Sequence, residues 1–260
     1  MLIALTRAVP QSITHCELTH LDRNPIDVEL ARRQHQAYET ALINAGCRIE
    51  RLPVADDLPD SVFVEDTAIV VDEVAVITRP GAESRRPETA SVAAALRNYR
   101  ELVFIEPPAI LDGGDVLRID RKVFVGQSTR TNADGFRQLS AALTPFGYSV
   151  RAVTPRGCLH LKSAVTAFSD DGVVINPEWV DASVFNELQV ITVDPSEPSS
   201  ANVLRVGEVL CAAAFPGTAQ RLRDAGVNVR MVDASELAKA EGALTCCSVL
   251  VKLDERALKT

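Results

Sequence analysis

Three residue types that enzymes combine for covalent catalysis stand in short, distinctive motifs of this sequence. Cys246 lies in LTCCSV, His160 in CLHLKS and Asp112 in LDGGDV, and a fourth motif, FVEDTA, adds Glu65 and Asp66. A thiol acts as a nucleophile, a histidine as a general acid or base, and a carboxylate orients either of them. Each motif alone is ordinary, because a lone cysteine or histidine is more often a core residue than a catalytic one.

The same residue types are also zinc ligands, so a metal site is the main chemical alternative. The candidate ligands come one per motif, without the paired spacing that zinc sites show in sequence. The cysteines likewise form no CxxC pair and no regular framework; they are Cys16, Cys47, Cys158, Cys211, Cys246 and Cys247. We therefore predict reduced thiols, no obligatory metal and no other cofactor.

A repeated series of elements surrounds these motifs. An apolar run, a short polar break and a second apolar run, the pattern of a β-hairpin, recurs at residues 68–80, 115–127, 163–177 and 202–216. Helical patterns follow at 88–98, 132–147 and 217–225, and short apolar strands at 102–106, 148–154, 188–194 and 228–233. The predicted module is strand, strand, helix, strand.

The two ends of the chain together supply a fifth copy of the module. Residues 2–7 are predicted as a strand, 27–45 as a helix capped by Asp27, and 47–53 as another strand, while 247–253 (CSVLVKL) is a spare strand. If the spare strand pairs with the first one, the modules close into a ring that has no open edge. The alternative is one ordinary α/β sheet with mixed strands.

A ring would bring together the residues that precede the first hairpin strand of each module. We call these stretches the lead segments, and they contain Glu65 and Asp66, Asp112 and Asp115, His160, Asn202, and Cys246. Carboxylates, a histidine and a cysteine would then meet at one central point. Because neighbouring residues of a strand point to opposite faces, Cys246 should face this point and Cys247 should pack in the core.

The composition limits the class of protein. The chain has 260 residues, of which 47% are hydrophobic, and a net charge of −8. A chain of this length buries a large core, and we predict a single domain over residues 1–260. The acidic balance argues against nucleic acid or an anionic membrane as a partner, and the sequence shows neither a membrane span nor a signal-peptide pattern. We expect a cytoplasmic protein with a small-molecule substrate; a homodimer is compatible with the sequence.

Six motifs in order resemble those of the dimethylarginine dimethylaminohydrolase family, which belongs with the arginine deiminases and amidinotransferases to the guanidine-modifying superfamily. The motifs are PDSVFVED (59–66), ITRPGAESRR (77–86), LDGGDVL (111–117), STRTNADG (128–135), LHLKS (159–163) and LTCCSV (244–249). The resemblance extends from about residue 2 to residue 253. It implies a five-bladed α/β propeller, which agrees with the ring of modules, closed by pairing of the terminal strands.

The resemblance also implies a reaction at a guanidinium carbon. Cys246 would attack this carbon and form a covalent thiouronium intermediate. His160 would protonate the departing dimethylamine and then take a proton from water, and Asp112 would orient the histidine, the guanidinium or both. The products would be citrulline and dimethylamine, or methylamine from monomethylarginine.

By the same resemblance, carboxylates hold the guanidinium of the substrate. Asp66 and Asp112 would bind it through charge-assisted hydrogen bonds, with Glu65 nearby. Phe63 is a candidate apolar wall for the methyl groups. Residues 11–26, long, polar and without periodicity, would form a lid over the pocket.

The amino-acid end of the substrate needs a different set of groups. Arg85 and Arg130 match the family's positions for binding the α-carboxylate, and the planar fork of arginine suits that task. The backbone carbonyls of Leu18 and Ala240 would hold the α-amino group, with Asp60 close by.

Two other functions remain open at this stage. One is a related guanidine hydrolase, similar to arginine deiminase, that acts on free or otherwise modified arginine. The other is a non-catalytic protein that binds arginine-like ligands. Such a protein would be expected to lack Cys246, His160 or Asp112, and all of these are present, which argues against it.

Overall fold

Fifteen short strands form the sheets of the described chain. The computed structural model describes residues 1–253, so the last seven residues of the predicted domain lie outside it. The strands are, in chain order, β1 (Leu2–Thr6), β2 (Cys47–Arg51), β3 (Ala68–Val70), β4 (Val74–Ile77), β5 (Glu101–Phe104), β6 (Val116–Ile119), β7 (Lys122–Gly126), β8 (Ser149–Val153), β9 (Val165–Ala167), β10 (Gly172–Ile175), β11 (Gln189–Thr192), β12 (Leu204–Arg205), β13 (Val209–Ala212), β14 (Val229–Val232) and β15 (Val249–Lys252).

Helices and single helical turns connect the strands. The α-helices are α1 (Val28–Asn44), α2 (Thr89–Leu96), α3 (Ala133–Leu143), α4 (Leu161–Ala164), α5 (Pro216–Asp224) and α6 (Ser235–Ala238). The 3-10 helices are Gln11–His15, Val64–Thr67, Glu83–Glu88, Gly113–Asp115, Thr144–Phe146, Ala182–Phe185 and Thr245–Cys247. Within the described part of the chain, no helix has both the length and the apolar character that crossing a membrane requires.

The strands pair into five separate three-stranded sheets of one design. Their orders are β3-β4-β5, β6-β7-β8, β9-β10-β11, β12-β13-β14 and β15-β1-β2. In each sheet the first pair is antiparallel and the third strand is parallel to the second. The pairing of β15 with β1, in the register Leu2↔Lys252, confirms the predicted contact between the terminal strands. The alternative of one mixed sheet is wrong for residues 1–253.

The helix ends follow the local sequence signals. The carboxylate of Asp27 accepts a hydrogen bond from the backbone N–H of Leu30 at 2.9 Å, which satisfies a free donor at the start of α1. Gly46 follows the end of that helix with a φ of 91°, a left-handed conformation that glycine adopts without a steric penalty. Asn132 caps α3 in the same way, by accepting a hydrogen bond from Gly135.

The third module departs from the predicted order of elements. Its connection from β10 to β11 contains only the 3-10 turn Ala182–Phe185 instead of an α-helix. Asp181 accepts a hydrogen bond at the start of this turn, and the ring of Phe185 packs 4.8 Å from the ring of Phe124, measured between centroids. Phe185 and other apolar side chains of this connection therefore cover the sheet where the other modules use an apolar helix face.

The apolar core is divided into clusters, each shared by two consecutive sheets. In chain order, Ile3 clusters with Ala75, Val76 with Val123, Phe124 with Val173, Val174 with Cys211, and Leu210 with Ala4. The alternating residues of a strand face opposite sides, so Ile3 and Ala4 of β1 belong to different clusters. The terminal sheet thus packs against both the first and the fourth hairpin module.

Candidate active site

The lead segments form tight helical turns rather than the beginnings of strands. Four of them are Val64–Thr67, Gly113–Asp115, Leu161–Ala164 and Thr245–Cys247. The predicted cause of the separation between the two cysteines, alternation along a strand, is therefore wrong. Both cysteines lie in a 3-10 turn, which rotates neighbouring side chains by about 120°. The separation itself is present: Cys247 is fully buried in an apolar cluster, and Cys246 is partly exposed and lines a pocket.

Hydrogen bonds connect each lead segment to the next. They are Gly114 N–H to Asp66 (2.9 Å), Leu161 N–H to Asp115 (2.9 Å), Asn202 Nδ2 to the carbonyl of Lys162 (3.2 Å), Asn202 Nδ2 to Thr245 Oγ1 (3.0 Å) and Thr245 Oγ1 to Glu65 (2.6 Å). Every connection uses a buried polar group. Each hydrogen bond therefore satisfies a donor or acceptor that would cost free energy if it were buried without a partner. The series returns to the segment from which it started.

A small pocket lies beside these segments and contains most of the predicted site. Its lining residues are Glu17, Asp60, Phe63, Asp66, Arg85, Arg130, Leu159, His160, Ala240, Glu241, Gly242 and Cys246. Of the predicted residues, Asp112, Leu18 and Glu65 do not line it. Sequence reasoning missed Glu17, Leu159, Glu241 and Gly242; the last two carried a signal, since they directly follow the predicted Ala240.

His160 lies between two carboxylates. Its Nε2 atom is 3.1 Å from Oδ2 of Asp112, and its Nδ1 atom is 3.9 Å from Oδ1 of Asp66. Burial alone would lower the pKa of His160, but Asp66, Asp112 and Asp115 outweigh it and raise the pKa to about 9. The imidazole is therefore protonated at neutral pH and can serve as a general acid.

Asp66 is held as a carboxylate. Burial would raise its pKa, but His160 and Arg85 oppose this and lower the pKa to about 2. The Nη1 atom of Arg85 donates to Oδ2 of Asp66 at 2.6 Å, and the backbone N–H of Gly114 donates to Oδ1 at 2.9 Å. A fixed negative charge therefore faces the pocket.

The thiol of Cys246 is neutral in the free protein. Burial is the largest cause, and the charges of Glu65 and Asp66 add to it, so that the pKa is raised to about 12. The nucleophile lacks a positive partner strong enough to ionise it, and a cation bound next to it would supply one.

Asp112 is completely buried and is fixed from several sides. Its Oδ1 atom accepts a hydrogen bond from the backbone N–H of Gly81 at 2.9 Å, and its own N–H donates to Thr131 Oγ1 at 3.1 Å. Since it does not line the pocket, the structure places it behind His160, in a position to orient the histidine.

The two glycines of the GGD motif allow close packing around the site. A Cβ atom on Gly113 would lie 2.0 Å from the carbonyl oxygen of Glu65, and one on Gly114 would lie 2.5 Å from Nδ1 of His160. Any side chain at Gly114 would push the histidine away from Asp66. The motif is therefore a packing requirement of the site as well as a turn.

Glu65 contributes to the floor of the site rather than to the pocket. Its two oxygens accept hydrogen bonds from Lys162 Nζ and Thr245 Oγ1, both at 2.6 Å. All three residues line a different, larger cavity of about 490 Å³. The placement supports a role for Glu65 in fixing Thr245, the neighbour of Cys246.

The predicted lid is hydrogen-bonded to residues that line the pocket. The carboxylate of Glu241 accepts hydrogen bonds from three consecutive backbone N–H groups, those of Thr19, His20 and Leu21, at 3.0, 2.5 and 2.7 Å. Arg130 Nη2 donates to Thr19 Oγ1 at 3.0 Å. Leu18, the remaining predicted contact, is partly buried and packs on the apolar cluster beneath the lid.

Asp60 joins the lid to the pocket wall. Its Oδ2 atom accepts a hydrogen bond from the backbone N–H of Glu17 at 3.1 Å. Burial raises the pKa of Asp60, while Arg85 opposes that rise. Phe63 forms the apolar part of the wall, where its ring lies directly against Gly242: a Cβ atom there would be 2.1 Å from Phe63 Cε1.

The site also contains a group of residues with the chemistry of metal ligands. One ligand atom from each of Asp66, Asp112 and His160 lies within 4.8 Å of the others. Both nitrogens of His160 face a carboxylate, however, so a ring protonated on both nitrogens can donate to each of them. The donor set therefore fits an imidazolium better than a metal.

Comparisons with known proteins agree with this geometry. The arginine deiminase family model matches residues 50–206. The N(G),N(G)-dimethylarginine dimethylaminohydrolase of Streptomyces coelicolor is 43% identical over 253 residues, which are 96% of each chain.

Two solved structures have the same fold. The dimethylarginine dimethylaminohydrolase of Pseudomonas aeruginosa, a Cys-to-Ser variant in complex with citrulline, is 32% identical with a TM-score of 0.91, covering 96% of this chain and 98% of that one. A His-to-Gly variant of dimethylarginine dimethylaminohydrolase, an adduct with S-methyl-L-thiocitrulline, is 32% identical with a TM-score of 0.90, covering 96% and 99%. The chain belongs to the dimethylarginine dimethylaminohydrolase family, a family of hydrolases that act on carbon–nitrogen bonds.

Proposed function

We propose that this protein hydrolyses Nω-methylated arginine, both asymmetric dimethylarginine and monomethylarginine, to citrulline and dimethylamine or methylamine. One observation carries the proposal: a single pocket contains the thiol of Cys246, the protonated His160 and the ionised Asp66. A nucleophile, an acid for the leaving group and an anion for a planar cation are what this reaction requires. The names of the relatives support the same substrate class.

Binding of the substrate activates the nucleophile. The guanidinium is a planar cation, and the carboxylate of Asp66 matches it with charge-assisted hydrogen bonds. A positive charge next to Cys246 lowers the pKa of its thiol, and the proton leaves to solvent. The thiolate therefore forms when the cation is in place, which protects the free enzyme from side reactions.

The first half of the reaction makes a covalent bond. The thiolate of Cys246 attacks the central guanidinium carbon and gives a tetrahedral adduct. Its carbon–nitrogen bond to the methylated nitrogen breaks as His160 donates a proton, so that neutral dimethylamine departs. A thiouronium group remains on Cys246, and His160 is left neutral.

The second half regenerates the enzyme. The neutral imidazole of His160 takes a proton from a water molecule as that water attacks the thiouronium carbon. The tetrahedral adduct collapses, the carbon–sulfur bond breaks, and citrulline leaves with its new oxygen atom. The remaining hydroxyl proton of the adduct passes to the departing sulfur, so that Cys246 returns as the neutral thiol and His160 as the imidazolium. Asp112 keeps the imidazole in one orientation through both steps.

The amino-acid end of the substrate lies toward the lid in this proposal. Arg130 and Arg85 bind the α-carboxylate, and Asp60 with the backbone carbonyls of Leu18 and Ala240 receives the α-amino group. The positions of Arg85, Arg130, Asp60 and Ala240 on the pocket wall support this assignment. Arg130 also contacts Thr19 of the lid. In this proposal, the side chain that binds the carboxylate therefore also holds the lid.

We also propose that the sheets form one domain, a closed five-bladed ring. Two observations support it: the apolar clusters connect the sheets in a cyclic order, and the hydrogen bonds of the lead segments return to their starting segment. Such a ring places every lead segment near the axis, as the reaction requires.

Hydrolysis of free arginine is the second candidate function, and the match to the arginine deiminase model favours it. The apolar lining that Phe63 and Leu159 contribute to the pocket supports a methylated leaving nitrogen instead. The test compares turnover of asymmetric dimethylarginine, monomethylarginine and arginine by citrulline release. We expect the methylated substrates to have the higher kcat/KM; release of citrulline from arginine alone would contradict the proposal.

A further inference from the structure

Glu88 is a buried carboxylate that lies outside the pocket. Only 2% of it is exposed, and it is the last residue of the 3-10 helix Glu83–Glu88. Both of its oxygens bind Arg85: Nε donates to Oε1 at 3.1 Å and Nη2 donates to Oε2 at 2.9 Å. This two-point contact fixes the plane of the guanidinium, because the group is rigid and planar.

Other N–H groups of the same guanidinium reach the active site. Nη1 of Arg85 donates to Oδ2 of Asp66 at 2.6 Å, and Nη2 also donates to the carbonyl of Phe63 at 2.8 Å. Arg85, Asp66 and Phe63 all line the pocket. A rotation of the guanidinium away from Glu88 would therefore move the anion and the wall that face the substrate.

Glu88 is itself held in place by a second buried arginine. Arg7, which is 0% exposed, donates from Nη2 to the backbone carbonyl of Glu88 at 3.4 Å and to Ser91 Oγ at 2.5 Å. Its Nη1 atom donates to the carbonyl of Ser61 at 3.0 Å. The carboxylate thus has a fixed backbone and a fixed partner, which is the arrangement expected of a group that supports a site from behind.

We propose that Glu88 is a positioning residue: it sets the plane of Arg85 and thereby the places of Asp66 and Phe63 in the pocket. The kinetic test of this role rests on the proposed function, because it measures turnover of dimethylarginine. In Glu88→Gln, the amide keeps one acceptor but turns an N–H₂ group toward a donor of Arg85, so one of the two bonds is lost. We expect KM for dimethylarginine to rise about tenfold, since small displacements of a binding group are costly.

The same helix offers a matched control. Glu83 forms an ion pair with Arg86 at 2.7 Å in the same i, i+3 spacing as Glu88 with Arg85, but this pair faces solvent. Glu83→Gln should leave KM and kcat at wild-type values. The change in KM separates positioning from a loss of folded protein, because a smaller active fraction lowers the apparent kcat and leaves KM unchanged.

A shorter carboxylate tests the geometry apart from the charge. Glu88→Asp keeps the charge but reaches one methylene less far, so we expect a KM between those of wild type and Glu88→Gln. If Glu88→Gln fails to fold, Glu88→Asp alone decides the matter. A wild-type KM in the variants that fold would overturn the proposal.

Equilibrium binding of L-citrulline, measured by calorimetry, makes the test independent of turnover. Citrulline has the same amino-acid end as the proposed substrate, so Glu88→Gln should weaken its binding while Glu83→Gln should not. If the wild type releases no citrulline from dimethylarginine but the variants differ in this way, the proposed function fails and the role of Glu88 stands. Equal binding by wild type and Glu88→Gln would overturn the role of Glu88.

Discussion

The Nε2 atom of His160 lies 3.1 Å from the Oδ2 atom of Asp112, and both side chains are buried. The carboxylate is fixed in turn by the backbone N–H of Gly81. This contact orients the imidazole and, with the neighbouring Asp66, keeps it protonated. The proposed order of proton transfers, in which His160 acts first as an acid and then as a base, depends on this relationship.

The first prediction concerns the titration of His160. In the free enzyme its imidazole should titrate near pH 9, because the effect of the neighbouring carboxylates exceeds that of burial. Asp112→Asn should lower this pKa, since the nearest hydrogen-bonding anion is removed. The measurement is a pH series of ¹⁵N-detected imidazole spectra, and an unchanged pKa in the variant would contradict the assignment.

The raised pKa of His160 also stabilises the folded protein at low pH. The pKa of His160 is raised from about 6.5 in the unfolded chain to about 9 in the folded one. The resulting stabilisation is fully present below pH 6.5 and is lost as the pH rises through 9; it is on the order of 3 kcal/mol. Urea unfolding at pH 6 and at pH 9.5 should therefore show a larger loss in wild type than in His160→Gln. Equal losses of unfolding free energy in the two proteins would contradict the stabilising role of the His160 charge.

The second prediction concerns the reactivity of Cys246. With its pKa raised to about 12, the thiol should react slowly with neutral iodoacetamide at pH 7.5. A cationic haloacetamidine should react much faster, because its charge next to Asp66 lowers the thiol pKa as the substrate does. Rates are measured by loss of activity and by mass spectrometry of the modified peptide. Equal rates, corrected for those with a small thiol, would argue against activation by the bound cation.

The third prediction concerns the lid. Because the carboxylate of Glu241 holds three backbone N–H groups of residues 19–21, Glu241→Gln should loosen this segment. Trypsin should then cut faster after Arg23, which is exposed, and KM should rise with little change in kcat. Citrulline should slow the cut in wild type more than in the variant. A cleavage rate unaffected by the substitution would show that Glu241 does not hold the lid.

Sequence reasoning was sufficient where the signal was local or repeated. The hairpin pattern, the caps at Asp27 and Asn132 and the spare strand β15 follow from periodicity and turn chemistry, and the structure contains them. The resemblance identified eight of the twelve residues that line the pocket, among them Cys246 and His160.

What could not be predicted depends on contacts between distant parts of the chain. Glu88 and Arg85 lie only three residues apart, yet that spacing has significance only once both are buried and Arg85 also pairs with Asp66. Glu241 binds a segment 220 residues earlier, and Gly114 is required because of His160, which belongs to another module. Periodicity in the sequence does not reveal contacts between residues that lie so far apart in the chain.

The proposed mechanism depends above all on which cysteine forms the covalent intermediate. The measurement is acid quenching of the enzyme during turnover of dimethylarginine, followed by mass spectrometry of the peptide that contains Cys246 and Cys247. We predict a thiouronium adduct on Cys246 in wild type and in Cys247→Ser, which should retain most of its activity, and neither adduct nor turnover in Cys246→Ser. An adduct on Cys247, or citrulline release by Cys246→Ser at a rate near that of wild type, would contradict the account.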